Sequence, residues 1–203
     1  MSIMTWEEAA YDEAMSALYE EHKEQAIQEF TVERLQSYYL HYPDIAKPAF
    51  QALSEAHQLI SRHPTASFIF SAISIEVGIK VTLLKPVVYG LVHSESLASI
   101  ITDMVIRQTS IDRFQKLLFK ILSEYGGIDL NALKRAKSSK LLWTEMKNVQ
   151  KRRNQVIHRA ENVDTNESKQ ALSIATYILE NIFPNLVEHL ELKIQKDGSL
   201  ILQ

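Results

Sequence analysis

Cysteine is absent from the 203-residue chain, and glycine and proline occur only five times each. Without cysteine, the chain has no disulfide bond, no thiol nucleophile and no thiolate zinc site. Alanine, leucine, glutamate, lysine and glutamine are plentiful. Because these residues favour helices and the helix-breaking residues are scarce, the sequence predicts an all-α protein with long helices.

Several patterns of catalytic and metal-binding residues are missing as well. The seven histidines form no H-x-x-x-H or H-E-x-x-H pair, and the E-x-x-H repeats of a carboxylate metal bundle do not occur. No G-x-S-x-G elbow and no Rossmann fingerprint is present. We therefore expect neither a metal ion nor another cofactor.

The sequence also lacks the marks of a membrane or secreted protein. No run of some 18 uninterrupted apolar residues occurs, and the first 30 residues are acidic, unlike a signal peptide. With 46% hydrophobic and 23% charged residues, the chain can bury one sizeable core. We expect a soluble, cytoplasmic protein without a membrane partner, folded as a single helical domain over residues 1–203.

The net charge of −3 conceals a strong asymmetry. Residues 1–40 contain nine acidic residues against two basic ones, whereas residues 134–159 contain nine basic residues against one acidic. A basic block on an acidic protein is typical of a phosphate-binding surface. The alternative is a solvated helical face that pairs with the acidic N-terminal helix of its own or another chain.

Turn residues and apolar spacing divide the chain into three parts. We predict an acidic N-terminal helical extension over residues 1–43, a helical bundle over residues 44–192, and a tail or small hairpin over residues 193–203. Alternating apolar residues around Asp197-Gly198 favour the hairpin, although a frayed tail fits the same residues.

Residues 65–85 form the most apolar segment, which is too long for a strand and predicts a central buried helix ending at Pro86 and Gly90. Glu76 and Lys80 interrupt it four residues apart, which is a favourable spacing for an ion pair. In the simplest interpretation, the two side chains only neutralise each other at the edge of the core. In the final helix, Pro184 is expected to cause a bend or a break.

Residues 147–159 lack glycine and proline and are the candidate for chemistry. On a helix, Asn154 and His158 lie one turn apart on one face, whereas Arg153 lies about 140° from His158. Arg153 reaches the same site by bending round the helix or by meeting a histidine from another chain. A fixed cation, an amide and a group that exchanges protons near neutral pH are the components needed to act on a phosphodiester.

The arrangement of Arg153, Asn154 and His158 resembles the motif of HEPN domains. In that motif an arginine is followed after four to six residues by a histidine, and often directly by Asn, Asp or His. A preceding apolar helix with Ser71, Glu76 and Lys80 is also similar to the core helix of these domains, and the resemblance spans residues 45–190. It implies a bundle of long antiparallel helices, metal-independent endoribonuclease activity and a site built across a homodimer cleft.

This resemblance implies a role for each residue of the motif. His158 acts as general base or acid, Arg153 stabilises the charge of the transition state, and Asn154 orients the imidazole ring or donates to a phosphate oxygen. Glu76 supports the site by orienting Arg153 or His158. The residues expected to position the RNA backbone are Lys151, Arg152 and Arg159.

HEPN nucleases also suggest a biological setting and a competing function. The family implies a toxin or defence effector that is restrained by an antitoxin or regulatory protein. Ala160 stands where HEPN partners of nucleotidyltransferase antitoxins often carry a modifiable tyrosine, and this departure argues against that particular pair.

The alternative function is a non-catalytic HEPN-like module that binds a nucleotide, RNA or a protein partner. A helix-turn-helix regulator is disfavoured because the N-terminal end is acidic.

Overall fold

Helices make up most of the fold. The structure is a computed structural model that describes residues 15, 32–91, 100, 115–136 and 138–203. These residues form helices and one two-stranded sheet, so the predicted all-α class is confirmed. The predicted acidic N-terminal helix lies outside the described residues except at its end, where residues 32–41 are helical and form α1.

The later helices follow α1 in chain order. They are α2 Lys47–Leu59, α3 Pro64–Val77, α4 Lys85–Leu91, α5 Gln115–Gly126, α6 Leu142–Arg159, α7 Thr165–Tyr177 and α8 Phe183–Glu188. Two π-helical segments join neighbouring helices without interruption. The first π segment, Gly78–Leu84, connects α3 to α4, and the second π segment, Ile178–Ile182, connects α7 to α8.

Each π segment ends two residues before a proline, Pro86 or Pro184. Proline has no N–H to donate to the carbonyl four residues earlier, so the helix accommodates it by widening. Directly before Pro86, the N–H of Lys85 donates five residues back to the carbonyl of Lys80. Of the two residues predicted to end the central helix, Pro86 lies inside it, and the helix continues to Leu91, next to Gly90. Pro184 widens the last helix rather than breaking it.

Tyr39 supports the first π segment from α1. Its hydroxyl donates to the carbonyl of Thr82 at 2.7 Å, and the side chain is completely buried. Thr82 is the residue whose carbonyl Pro86 leaves without an α-helical donor. Burial, with a smaller contribution from Tyr38, raises the pKa of Tyr39 far above its ordinary value, so the hydroxyl remains a donor.

The buried residues of the described chain form one cluster, with α3 packed against α2, α6 and α7. Small side chains allow α2 and α3 to approach closely. Ser67 and Ser74 on α3 are fully buried and donate to the carbonyls of Ala56 and Ala49 on α2, at 2.7 Å and 3.0 Å. Hydrogen bonds between side chain and backbone thus fix the position of α3, which carries Glu76.

The helix Pro64–Tyr89 is long and apolar enough to cross a membrane by length and composition, with a mean hydropathy of 1.7 in its most apolar 18-residue window. However, 67% of its most apolar window is buried inside the protein. The core helix of a soluble protein has the same properties, so the segment is only weak support for a membrane span.

A hairpin ends the chain, as predicted from the alternation around Asp197-Gly198. Strands β1, Leu192–Ile194, and β2, Leu200–Leu202, are antiparallel. Gly198 has a φ of 86° and lies so close to Phe50 that an added Cβ would be 2.7 Å from the ring. Only glycine meets both conditions without strain.

Candidate active site

Helix α6 presents two opposite faces. Four of its five buried residues follow one another at spacings of four, three and seven positions: Leu142, Met146, Val149 and Val156. This spacing places them on one side of the helix, against the core. The exposed residues at the same spacing on the opposite side are Lys147, Lys151, Asn154 and His158, which we call the exposed stripe.

Arg153 lies beside the buried face and turns towards α3. Its Nη2 is 3.6 Å from Oε2 of Glu76, and its side chain is 31% exposed. Its Nη1 donates to Oδ1 of the neighbouring Asn154 at 3.2 Å. The guanidinium therefore joins a carboxylate on α3 to Asn154 of the exposed stripe. The role of Glu76 in orienting Arg153 stays a prediction, although the two side chains are in contact.

Glu76 lies between two cations. Nζ of Lys80 donates to its Oε1 at 2.6 Å, while Oε2 faces Arg153. The Lys80 side chain is only 5% exposed. A buried ammonium needs a close carboxylate, so Lys80 fixes the position of the carboxylate that faces Arg153. Sequence spacing predicted the pair of Glu76 and Lys80. Of the two residues that Glu76 was expected to orient, Arg153 is the one in contact with it.

His158 occupies the end of the exposed stripe. It is exposed and lies one turn after Asn154, as the sequence predicted. The helix ends just beyond it, where Ala160 has a φ of 52° in the left-handed region. Arg153 faces α3 while His158 faces outward, so one chain keeps them on different sides of α6. This separation matches the angle of about 140° expected from helix geometry.

The three residues predicted to bind RNA are in different environments. Lys151 is exposed, and Arg159 is 70% exposed with its Nη1 3.9 Å from Oε1 of Glu161. Arg152 is instead engaged within the chain. Its guanidinium donates to the carboxylates of Glu167 and Glu161, and these contacts raise its pKa. Lys151 and Arg159 are thus better placed than Arg152 to meet a phosphate.

A second arginine of the basic block is also paired inside the protein. Arg135 contacts Glu145 through two hydrogen bonds of 2.8 Å each, and the two side chains are 13% and 11% exposed. Burial alone would raise the pKa of Glu145. Hydrogen bonds from Arg135 and Ser138 outweigh burial and lower this pKa below its ordinary value. The basic block is therefore less positive at the surface than its sequence indicates.

Neither a search for metal sites nor comparison with known proteins assigns a function to this site. Within residues 32–91, 115–136 and 138–203, no three His, Asp or Glu side chains lie together where they could hold a metal ion. No protein-family model, curated protein or solved structure matches the chain. The structure establishes the all-α fold class. The resemblance to HEPN domains rests only on the motif of Arg153, Asn154 and His158 and on the apolar helix before it.

Proposed function

We propose that the protein is a cytoplasmic, metal-independent endoribonuclease of HEPN type that acts as a homodimer. The observation that carries this proposal is the contact between Glu76 and Arg153. It holds a guanidinium beside Asn154, one turn before an exposed histidine. These are the groups that cleavage of a phosphodiester requires, on one helix and supported by a second.

Cleavage proceeds by an internal transfer in the RNA. One imidazole takes the proton of the ribose 2′-hydroxyl, and the 2′-oxygen attacks the adjacent phosphorus. The bond from phosphorus to the 5′-oxygen breaks, and a second imidazole in its protonated form gives that oxygen a proton. The products are a 2′,3′-cyclic phosphate and a 5′-hydroxyl. Arg153 stabilises the negative charge on the phosphoryl oxygens during attack.

A homodimer supplies the second imidazole. Each chain has one histidine in the motif, so the acid and the base come from two copies of His158. In a two-fold interface the same patch of both chains meets itself, which places the two exposed stripes side by side. Ile157, next to His158, is 50% exposed and offers an apolar contact for such an interface. The same arrangement brings Arg153 of one chain towards His158 of the other.

RNA enters this site along the remaining surface cations. Lys151 and Arg159 contact phosphates without reading the base sequence. A ribonuclease of this kind requires restraint in the cell, so an antitoxin or regulatory protein is part of the proposal.

The experiment is cleavage of a mixed RNA pool in EDTA, with identification of the product ends. Wild-type protein is expected to leave cyclic phosphates, and Arg153→Ala and His158→Ala are expected to lose activity. The matched controls are Arg62→Ala and His189→Ala, which change exposed residues outside α6. Intact RNA with tight, salt-sensitive binding would contradict cleavage and identify the non-catalytic binding module instead.

A further inference from the structure

A groove of about 190 Å³ lies where α6 faces α7, on the side of α6 away from Glu76. Its floor is apolar and consists of buried residues from α3, α6 and α7: Phe68, Val149, Ala171 and Ile174. The groove is smaller than the roughly 300–1,000 Å³ of sites for whole drug-sized ligands. It fits one ring system, with the rest of the ligand outside.

The acidic residues around this groove already have cationic partners in the fold. Glu145 pairs with Arg135, and Glu167 pairs with Arg152. These paired charges therefore offer little to a strongly charged ligand. A neutral, polar ring system fits this balance better than a free carboxylate or a phosphate.

Two amide side chains, one from each of the neighbouring helices α6 and α7, line the groove. Asn148 on α6 and Gln170 on α7 line it, and both are exposed. Neither side chain forms a hydrogen bond with any residue that the structure describes. Each amide carries donors and an acceptor on the same plane. Together they supply the edge contacts that a planar heterocycle with donors and acceptors requires.

We propose that this groove binds adenine, either in a free nucleotide or as an unpaired base of an RNA strand. An Asn or Gln amide matches the N6 donor and N7 acceptor of adenine with two hydrogen bonds. The apolar floor, with Phe68, contacts the ring. Lys140 also lines the groove and supplies a cation for the attached phosphate. Binding of adenine does not depend on the proposed cleavage.

The test measures binding rather than cleavage. His158→Ala protein is titrated with short A, U and C oligoribonucleotides by fluorescence anisotropy. We expect the A oligomer to bind roughly tenfold more tightly than the other two. Asn148→Ala and Gln170→Ala, added to this protein, abolish the preference, whereas Asn181→Ala, an exposed amide on the second π segment, preserves it. Equal affinity for the three oligomers, or a preference that survives both groove variants, would overturn the proposal.

A calorimetric titration of wild-type protein with AMP separates the two sources of adenine. Binding of AMP that is lost in Gln170→Ala identifies a nucleotide site, and a preference confined to the oligomer identifies an RNA base. Both results support the groove as an adenine site. Failure to cleave RNA would leave these binding results unchanged, so the two proposals fail separately.

Discussion

Adjacent arginines in α6 have carboxylate partners from different segments of the chain. Arg153 meets Glu76 on α3, whereas Arg152 meets Glu161 and Glu167 after the chain reverses at Ala160. The sequence alone predicted both residues as part of one site. It could not separate them, since their partners depend on how α6 packs against its neighbours.

Replacement of Glu76 tests whether its contact with Arg153 matters. Glu76→Gln keeps the shape but removes the charge that holds the guanidinium. Nη2 of Arg153 is 3.6 Å from Oε2 of Glu76, so the contact is an ion pair rather than a hydrogen bond. A partly exposed ion pair contributes up to about 1 kcal/mol, so cleavage should fall by up to about fivefold. The measurement is the single-turnover rate of RNA cleavage.

The matched control for Glu76 is Glu167→Gln, which removes a carboxylate from Arg152 instead. This variant should retain most of the cleavage rate. Thermal unfolding of both variants identifies any loss of folded protein, because Glu76→Gln also removes the carboxylate beside the buried Lys80. A fully active, folded Glu76→Gln protein would contradict a positioning role for Glu76.

Among the helices and strands, local sequence patterns predicted the central helix and the hairpin but not the π segments. The length of the apolar segment over residues 65–85 predicted the central helix, and alternation around Asp197-Gly198 predicted the hairpin, since both signals are local. Pro86 is normally a sign that a helix ends. Here the helix continues, because Tyr39 from a distant part of the chain satisfies the carbonyl of Thr82. That compensation cannot be inferred from the residues around the proline.

Removal of the Tyr39 hydroxyl is expected to destabilise the protein. Tyr39→Phe leaves the buried carbonyl of Thr82 without this donor, and an unsatisfied buried group costs about 1–3 kcal/mol. The measurement is the free energy of unfolding in urea. Tyr42→Phe is the control, because Tyr42 is 46% exposed and its change should have little effect. Equal stability of the two variants would show that Thr82 is satisfied in another way.

The hairpin is predicted to lose stability in acid. Hydrogen bonds from the side chain and backbone of Ser199, and then from Lys47 on α2, lower the pKa of Asp197 below its ordinary value of 3.8. A carboxyl group with a depressed pKa stabilises the folded state when ionised. Its contribution is complete above the ordinary pKa and is lost as the pH falls towards the lower folded value.

This contribution is measured by comparing thermal unfolding of wild-type and Asp197→Asn proteins at neutral pH and near pH 2. Wild type should be more stable at neutral pH, and the difference should shrink below pH 3.8. Asp44→Asn, which also removes a carboxylate from Lys47, is the control that leaves the hairpin contacts intact. A difference that is independent of pH would contradict the role of the Asp197 charge.

For the whole molecule, composition was sufficient to predict the fold class, whereas features that depend on how the helices pack were not predicted. Scarce glycine and proline were sufficient for the all-α class. The groove between α6 and α7 was not predicted, because its residues come from segments that only the fold brings together, such as Phe68, Asn148 and Gln170. Ion pairs that form on folding likewise reduce how much of the positive charge of residues 134–159 is available at the surface.

Dimerisation is tested with a charge on the proposed interface. Ile157→Glu introduces a carboxylate beside His158 and should weaken self-association roughly tenfold or more, because burying an unpaired charge is costly. Analytical ultracentrifugation should show monomers, and cleavage should be lost. Leu202→Glu, at a hairpin residue that is 56% exposed, should leave both unchanged. A wild-type monomer that cleaves RNA would contradict the shared site.

The first π segment also restricts how the length of this chain can vary during evolution. Each of its hydrogen bonds spans one residue more than in an α-helix. Deletion of one residue between Gly78 and Leu84 would remove this excess and rotate the following helix by about 100°. Val87 and Val88, which are now buried, would turn away from the core. Insertions and deletions among relatives should therefore fall in connections such as residues 127–141, and this helix should keep a constant length.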